Sequence, residues 1–176
     1  MSDPNTGVTF PVPSPVGPGQ TALPQDERDP ALGEAADRLR QAAVTTAPLC
    51  VADMSRAVED ERCGAIVTFD GVVRNHDEGR AVLALEYTAH PTAEAVMREV
   101  ARDVTARFPD VIVAAAHRVG PLAIGDSALT CAVAAPHRKR AFEACDVLVD
   151  EVKRRVPIWK HQRFADGTDE WVAALA

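Results

Sequence analysis

Two lysines near the C-terminal end of the sequence have surroundings typical of catalytic amines. Lys153 lies at the border of the apolar stripe of a predicted helix, and Lys160 follows Pro157, the residue that ends that helix. Such positions bury the lysine stem and leave the amine at a cleft, where it can exchange protons with a ligand. Each lysine alone is more often structural, because a cation near a helix C-terminus also stabilises the helix dipole.

Three further side chains are candidates for binding an anion. Arg74 stands where a predicted strand opens into a polar turn, so its guanidinium can reach a ligand from a rigid base, although such an arginine is more often simply solvated. His137 and Arg138 open the long helix, whose N-terminus offers unpaired N–H groups and a positive field. With the two lysines, these residues predict a pocket for a phosphorylated anion flanked by two acid–base amines. They do not identify the reaction.

Signatures of several other chemistries are absent from the sequence. It contains no GxxxxGK[ST], GxGxxG, GxSxG or HExxH motif, which argues against most nucleotide-binding and hydrolase functions. The five histidines lack the i,i+4 or HxH spacing of metal ligands, so no metal site and no cofactor are predicted. The four cysteines form no CxxC pair and are expected to be reduced thiols in the core.

The charge distribution and hydropathy restrict the class of partner. A net charge of −7 argues against nucleic-acid binding, although residues 137–163 hold eight Lys or Arg against four Asp or Glu. No run of eighteen apolar residues suggests a membrane span, and no secretory signal is recognisable at the start. We therefore expect a soluble, cytoplasmic protein.

The length of 176 residues and the 47% hydrophobic content predict one folded domain. Residues 1–45 are predicted to be a Pro-rich N-terminal extension, disordered over the first thirty or so residues, with a short helix at Leu32–Ala43. The domain is predicted to occupy residues 46–176.

Hydrophobic periodicity within this domain predicts strands alternating with two long helices. The predicted strands are Cys63–Phe69, Val82–Tyr87, Val111–Ala116, Ala128–Ala135, Ile158–Phe164 and a short one around Trp171. One helix begins at Thr92 and ends before Pro109, and the other runs from His137 to about Arg155. The buried stripe of the second is predicted to include Phe142 and Leu148. Hairpins between these elements indicate an α+β fold rather than a doubly wound sheet.

Four segments, in order along the chain, resemble the large, catalytic subunit of molybdopterin synthase. These segments are Gly64–His76, Ala116–Gly120, Ala135–Arg138 and Val152–Lys160. The similarity extends from about Pro48 to Val172. The resemblance implies an α/β hammerhead fold with an additional small antiparallel β subdomain.

The resemblance also implies the reaction and the partners. Each catalytic subunit of this family is expected to form a homodimer, which binds one small ubiquitin-like subunit at each end to give a heterotetramer. The small subunit carries sulfur as a thiocarboxylate on its C-terminal Gly-Gly, and the acceptor is cyclic pyranopterin monophosphate, which becomes the dithiolene molybdopterin. The present chain contains no Gly-Gly pair, so it is not the sulfur carrier.

By position, the resemblance assigns roles to the candidate residues. Lys153 and Lys160 would be the catalytic lysines, and Arg74, His137 and Arg138 would bind the pterin phosphate. The remaining residues assigned to substrate binding are Val72, Val73, His161 and Gln162. Some family members have Lys where this chain has Val72, so one polar contact to the substrate is expected to be missing.

Two alternative functions remain at this point. A sulfurtransferase could carry persulfide on Cys63 or Cys131, although both cysteines lie in or beside apolar strands without a neighbouring base. A non-catalytic scaffold of the same fold could bind an anion without chemistry. The presence of both Lys153 and Lys160 argues against a scaffold.

Overall fold

The structure, a computed structural model, describes residues 34–173. The predicted disorder of the first thirty residues lies outside this range. The helices are α1 (Ala35–Arg38), α2 (Val51–Ala57), α3 (Ala93–Arg107) and α4 (Arg138–Arg155). The strands are β1 (Leu39–Thr45), β2 (Ala65–Val72), β3 (His76–Asp77), β4 (Arg80–Ala89), β5 (Ile112–Arg118), β6 (Gly120–Leu122), β7 (Ser127–Ala135), β8 (Ile158–Phe164) and β9 (Asp169–Ala173). No helix in residues 34–173 is long and apolar enough to cross a membrane.

The first sheet has four strands in the order β1-β5-β7-β2. β1 runs parallel to β5, and the other pairs are antiparallel. The central strands β5 and β7 are buried almost throughout, because α3 and α4 cover one face and α2 covers the other. Their many alanines and valines suit strands buried on both faces. This sandwich of helices and sheet forms most of the core.

The two long helices, α3 and α4, are amphipathic as predicted from the spacing of their apolar residues. Both helices bury one stripe of small and aliphatic side chains against the sheet. Helix α4 ends at Arg155, and Val156 takes an extended conformation. The cause is Pro157, which disfavours helical geometry at the residue before it. The predicted end of this helix is therefore confirmed.

A second, antiparallel sheet lies beside the first. Its strands run in the order β3-β4-β8-β9, and β6 also pairs with β4. Successive side chains of β8 point to opposite faces of this sheet, so Lys160 and Gln162 share one face while His161 lies on the other. The α+β fold with a separate small antiparallel sheet was predicted and is confirmed.

The N-terminal boundary of the domain differs from the prediction. Residues 39–45 form β1 and pair with β5, so the last part of the predicted extension belongs to the core sheet. The helix predicted for Leu32–Ala43 is wrong over residues 39–43, and within the described part of that segment only Ala35–Arg38 is helical. A pairing partner more than seventy residues away determines this strand, and local periodicity does not detect such a partner.

The predicted burial of Phe142 in the core is also wrong. Phe142 is 63% exposed, whereas Leu148 on the same helix is fully buried. The buried stripe of α4 passes through Ala141 instead of Phe142. The small side chain of Ala141 allows α4 to pack closely, and the neighbouring phenyl ring points away from the core.

Candidate active site

A cavity of about 420 Å³ lies where the two sheets meet. Its walls come from the ends of β2, β5 and β7, the last turn of α4, and the strands β3, β4, β8 and β9. This volume falls within the usual range for small-molecule sites. Cationic, aromatic and apolar side chains line it together, so it can bind an anionic ring compound.

Lys153 reaches this cavity from the last turn of α4. Its amine lies 5.4 Å from the centroid of the Phe69 ring, close enough for a cation–π contact. The ring fits because residue 71 is glycine, since a Cβ atom there would lie 3.0 Å from the Phe69 ring. The glycine thus leaves room for the aromatic surface that supports the Lys153 amine.

Ion pairs between the helices hold the end of α4 in place. Arg155, two residues after Lys153, donates to Asp103 at 2.6 Å and to Glu99 at 2.7 Å, both on α3. Their side chains are partly exposed, so the contribution of each pair to stability is small. Their effect is to fix the direction of the helix turn that carries Lys153.

Lys160 enters the cavity from β8 and pairs with a carboxylate. Its Nζ donates to Oδ2 of Asp77 at 3.0 Å, and Nε2 of Gln162 donates to the same oxygen at 2.7 Å. Nη2 of Arg74 donates to the other oxygen, Oδ1, at 2.9 Å. These hydrogen bonds, that of Gln162 foremost, lower the pKa of Asp77. Asp77 is therefore an anion at neutral pH, shared by two cations.

Two aromatic side chains, the buried His117 and the partly buried Tyr87, form another part of the wall. The rings of Tyr87 and His117 meet edge to face, with centroids 5.0 Å apart. Burial lowers the pKa of His117, which keeps the imidazole neutral. Burial, and to a lesser degree the Asp77 carboxylate, raises the pKa of Tyr87, which keeps the phenol protonated. Both side chains are uncharged at neutral pH.

Six of the nine predicted site residues line this one cavity. They are Val72, Val73, Arg74, Lys153, Lys160 and Gln162. Val73 is buried beneath it, whereas Val72 is half exposed at its rim. The two candidate amines and the guanidinium of Arg74 thus line one cavity.

The other three predicted residues do not line this cavity. His137 and Arg138 are at the exposed N-terminal end of α4. Fifteen residues of helix separate Arg138 from Lys153, a distance of about 22 Å at 1.5 Å per residue. His161 points to the opposite face of β8, where its ring stacks on Trp171 at a centroid distance of 4.4 Å. Their predicted roles in substrate binding stay predictions.

Several residues of the cavity were missed from the sequence. Asp77 and His76 belong to the polar turn in which the sequence singles out Arg74 alone. Tyr87 is the only tyrosine in the chain, and His117 belongs to one of the four segments that carry the family resemblance. Those two facts were the available signals, but neither one predicts that a side chain faces a ligand.

Comparison with known proteins shows which family the chain resembles. The family model described as MoaE protein matches residues 44–155. The molybdopterin synthase catalytic subunit of Nostoc sp. is 38% identical over 133 residues, which cover 74% of this chain and 81% of that protein. The chain belongs to the MoaE family. This membership confirms the predicted role as an enzyme of molybdenum cofactor biosynthesis.

Solved structures of MoaE proteins and related complexes share the fold. The crystal structure of molybdopterin synthase from Staphylococcus aureus matches with a TM-score of 0.69 and 33% identity, covering 73% of this chain and 94% of that one. A complex of subunits 1 and 2 of molybdopterin-converting factor from Helicobacter pylori matches with a TM-score of 0.58, covering 78% of this chain and 90% of that one. It is only 21% identical and supports the fold alone. The hammerhead fold predicted for a MoaE protein is confirmed.

The cysteines of this MoaE family member are poorly suited to carrying sulfur. Burial raises the pKa of Cys63 and of Cys131, and it raises the pKa of Cys145 to about 11. The thiolate is the nucleophilic form, so these thiols are weak nucleophiles at neutral pH. Cys50 is exposed but does not line the cavity. The geometry therefore favours lysine chemistry over a persulfide.

Proposed function

We propose that this chain transfers sulfur from the thiocarboxylated C-terminus of a small ubiquitin-like subunit to cyclic pyranopterin monophosphate, which forms the dithiolene of molybdopterin. One observation carries the proposal. In a chain of the MoaE family, the amines of Lys153 and Lys160 and the guanidinium of Arg74 line the same cavity.

The charges around the cavity suit both anionic reactants. Three cations, Arg74, Lys153 and Lys160, face it together with one carboxylate, Asp77. A thiocarboxylate and a phosphate ester are both anions, so a net positive cleft attracts them and holds them together. The apolar and aromatic walls from Phe69, Leu85 and Tyr87 can contact the flat pterin ring.

The two amines can supply the proton transfers that sulfur insertion needs. The thiocarboxylate sulfur forms a bond to a pterin side-chain carbon, and the oxygen displaced from that carbon takes a proton from an ammonium group. Water then cleaves the bond between the sulfur and the carrier's acyl group, so the carrier leaves as a carboxylate, and a second carrier supplies the second sulfur of the dithiolene in the same way. General acid–base catalysis of this kind contributes roughly two to four orders of magnitude in rate.

The proposed sulfur donor is a separate small subunit. The Helicobacter pylori structure is described as a complex of two subunits. In the present chain the cavity is open to solvent beside the exposed guanidinium of Arg74. We propose that the C-terminal tail of the small subunit enters here and that its terminal carboxyl group approaches Lys153 and Lys160.

The positions of His137 and Arg138 bear on the proposed homodimer. At about 22 Å from Lys153 along α4, Arg138 cannot contact a substrate that occupies the cavity of its own chain. If both residues bind the pterin phosphate, a second copy of the chain must supply them. We propose a homodimer in which the N-terminus of α4 in one subunit faces the cavity of the other.

Reconstitution from purified components tests the proposed function. The chain is mixed with a thiocarboxylated small subunit and cyclic pyranopterin monophosphate, and the dithiolene product is quantified. The control uses the same small subunit ending in an ordinary carboxylate. We expect dithiolene only with the thiocarboxylate. Equal product with both carriers, or none with either, would contradict the proposal.

A further inference from the structure

The carboxylate of Asp77 distinguishes the two lysines of the cavity. Lys160 donates to it at 3.0 Å, and both side chains are only 20% exposed. Lys153 forms no ion pair with any described carboxylate, and its contact is the face of the Phe69 ring. One amine is therefore paired with an anion in a sheltered site, while the other is not.

A tight hairpin holds Asp77 in this position. β3 pairs with β4 through Asp77 and Arg80, and the two loop residues Glu78 and Gly79 have φ values of 47° and 80°. Two consecutive positive φ values are typical of the two-residue turn that matches the twist of paired strands. Because β4 also pairs with β8, the turn brings Asp77 against Lys160 and Gln162.

Gln162 holds the Asp77 carboxylate in a fixed orientation toward Lys160. Its side chain is 2% exposed and donates to the same oxygen that receives the Lys160 amine. Lys160 and Gln162 are two residues apart on β8, so they project from the same face of the strand. The buried amide thus fixes the carboxylate, and the carboxylate fixes the amine.

We propose that Asp77 is a positioning residue for sulfur transfer, whose carboxylate keeps Lys160 as a charged hydrogen-bond donor and leaves proton exchange to Lys153. This inference rests on the proposed function. Two like groups with different neighbours commonly divide the roles of acid and base in this way. Lys160 then binds the carrier's carboxyl group and stabilises negative charge, while Lys153 exchanges protons with the reacting atoms.

Other charged and titratable groups face the same space and stay unchanged in the test. On the cavity wall they are Arg74, His76, Tyr87, His117 and Lys153. Glu170 of β9 also lies nearby, across from Gln162, and it pairs with Arg80. A change at Asp77 therefore removes the one carboxylate that contacts the Lys160 amine in residues 34–173.

Asp77→Asn tests the inference, because it removes the charge but keeps the shape of the side chain. We expect kcat to fall by roughly tenfold, less than the loss of a group that itself transfers the proton. Asp77→Glu should restore part of the lost kcat, because a carboxylate again faces the Lys160 amine. The matched control is Glu78→Gln, which removes one exposed charge from the same hairpin.

A second readout does not depend on activity. Trace labelling of the substrate-free protein with acetic anhydride, followed by peptide mass spectrometry, reports how readily each lysine reacts. We expect Lys160 to label severalfold faster in Asp77→Asn than in the unmodified protein, with Lys153 unchanged. If Asp77→Asn matches Glu78→Gln in both labelling and kcat, the inference is overturned. If the unmodified protein forms no dithiolene, the proposed function fails, and the labelling alone decides whether Asp77 controls Lys160.

Discussion

At the scale of single residues, the surroundings of a side chain determine what its charge can do. Lys153 and Lys160 carry the same group and face the same cavity, but one lies over an aromatic ring and the other against a carboxylate. An aromatic face stabilises a cation less strongly than a sheltered carboxylate does. The sequence predicted that both amines reach a cleft, but it did not predict this difference.

We expect Lys153→Ala to abolish dithiolene formation without unfolding the protein. Its side chain is exposed at the end of α4, so the truncation should cost only about 1 kcal/mol in the free energy of unfolding. Lys153→Arg should be almost as inactive, because a guanidinium keeps the charge but does not release its proton. Initial rates and urea unfolding curves measure both effects. Near-normal turnover of Lys153→Arg would contradict proton exchange by Lys153 and leave it only an electrostatic role.

The pairing of Asp77 predicts how stability depends on pH. Its pKa in the folded protein lies below the unfolded value of about 3.9, so its contribution is present above about pH 4. That contribution is lost as the pH falls through the folded pKa. The free energies of unfolding of the unmodified protein and of Asp77→Asn, measured with urea, should therefore differ more at pH 7 than at about pH 3. A stability difference that grows in acid would have the wrong sign for this account.

Asp77 shows why part of the site could not be predicted. Within Arg74–Gly79 it resembles any solvated charge of a polar turn. Only the pairing of β4 with both β3 and β8 brings it to Lys160, more than eighty residues further along the chain. Local sequence patterns contain no information about such a contact. By contrast, the end of a predicted strand indicated Arg74, and the helix-breaking Pro157 indicated Lys160.

At the scale of elements, α4 depends on its buried stripe for its position. Leu148→Ala should lower the free energy of unfolding by about 2–5 kcal/mol, because it leaves a cavity beneath a fully buried position. Phe142→Ala on the same helix should change it by at most about 0.5 kcal/mol, since that ring is 63% exposed. Chemical denaturation of both variants measures the contrast. Equal losses would contradict the packing of α4 described above.

Elements were predictable where local signals agreed. β8 has the predicted bounds, Ile158–Phe164, because Pro157 marks its start and its apolar residues mark its length. By contrast, β1 was assigned to the extension and partly to a helix. Its residues carry little periodicity, and its stability comes from pairing in parallel with β5 and packing beneath α3. The short elements α2, β3 and β6 were not predicted either.

At the scale of the whole molecule, the proposed homodimer would bring Arg138 of one subunit to the cavity of the other. Lys153→Ala and Arg138→Ala should each be inactive or strongly impaired as separate proteins. When the two are mixed, denatured and refolded together, half of the dimers should be mixed, and each of these has one intact site. The recovered activity should be about a quarter of that of the unmodified protein. Activity no higher than that of the separate variants would contradict a shared site.

The most direct test of the account follows labelled sulfur in a single turnover. The small subunit carries radioactive sulfur in its thiocarboxylate, and the unmodified chain and Lys153→Ala are each mixed with it and with the cyclic pterin. The account predicts that label passes to the pterin with the unmodified chain, and that in Lys153→Ala the transfer is slower by roughly two to four orders of magnitude. Equal transfer with both proteins, or label that remains on the carrier with the unmodified chain, would contradict it.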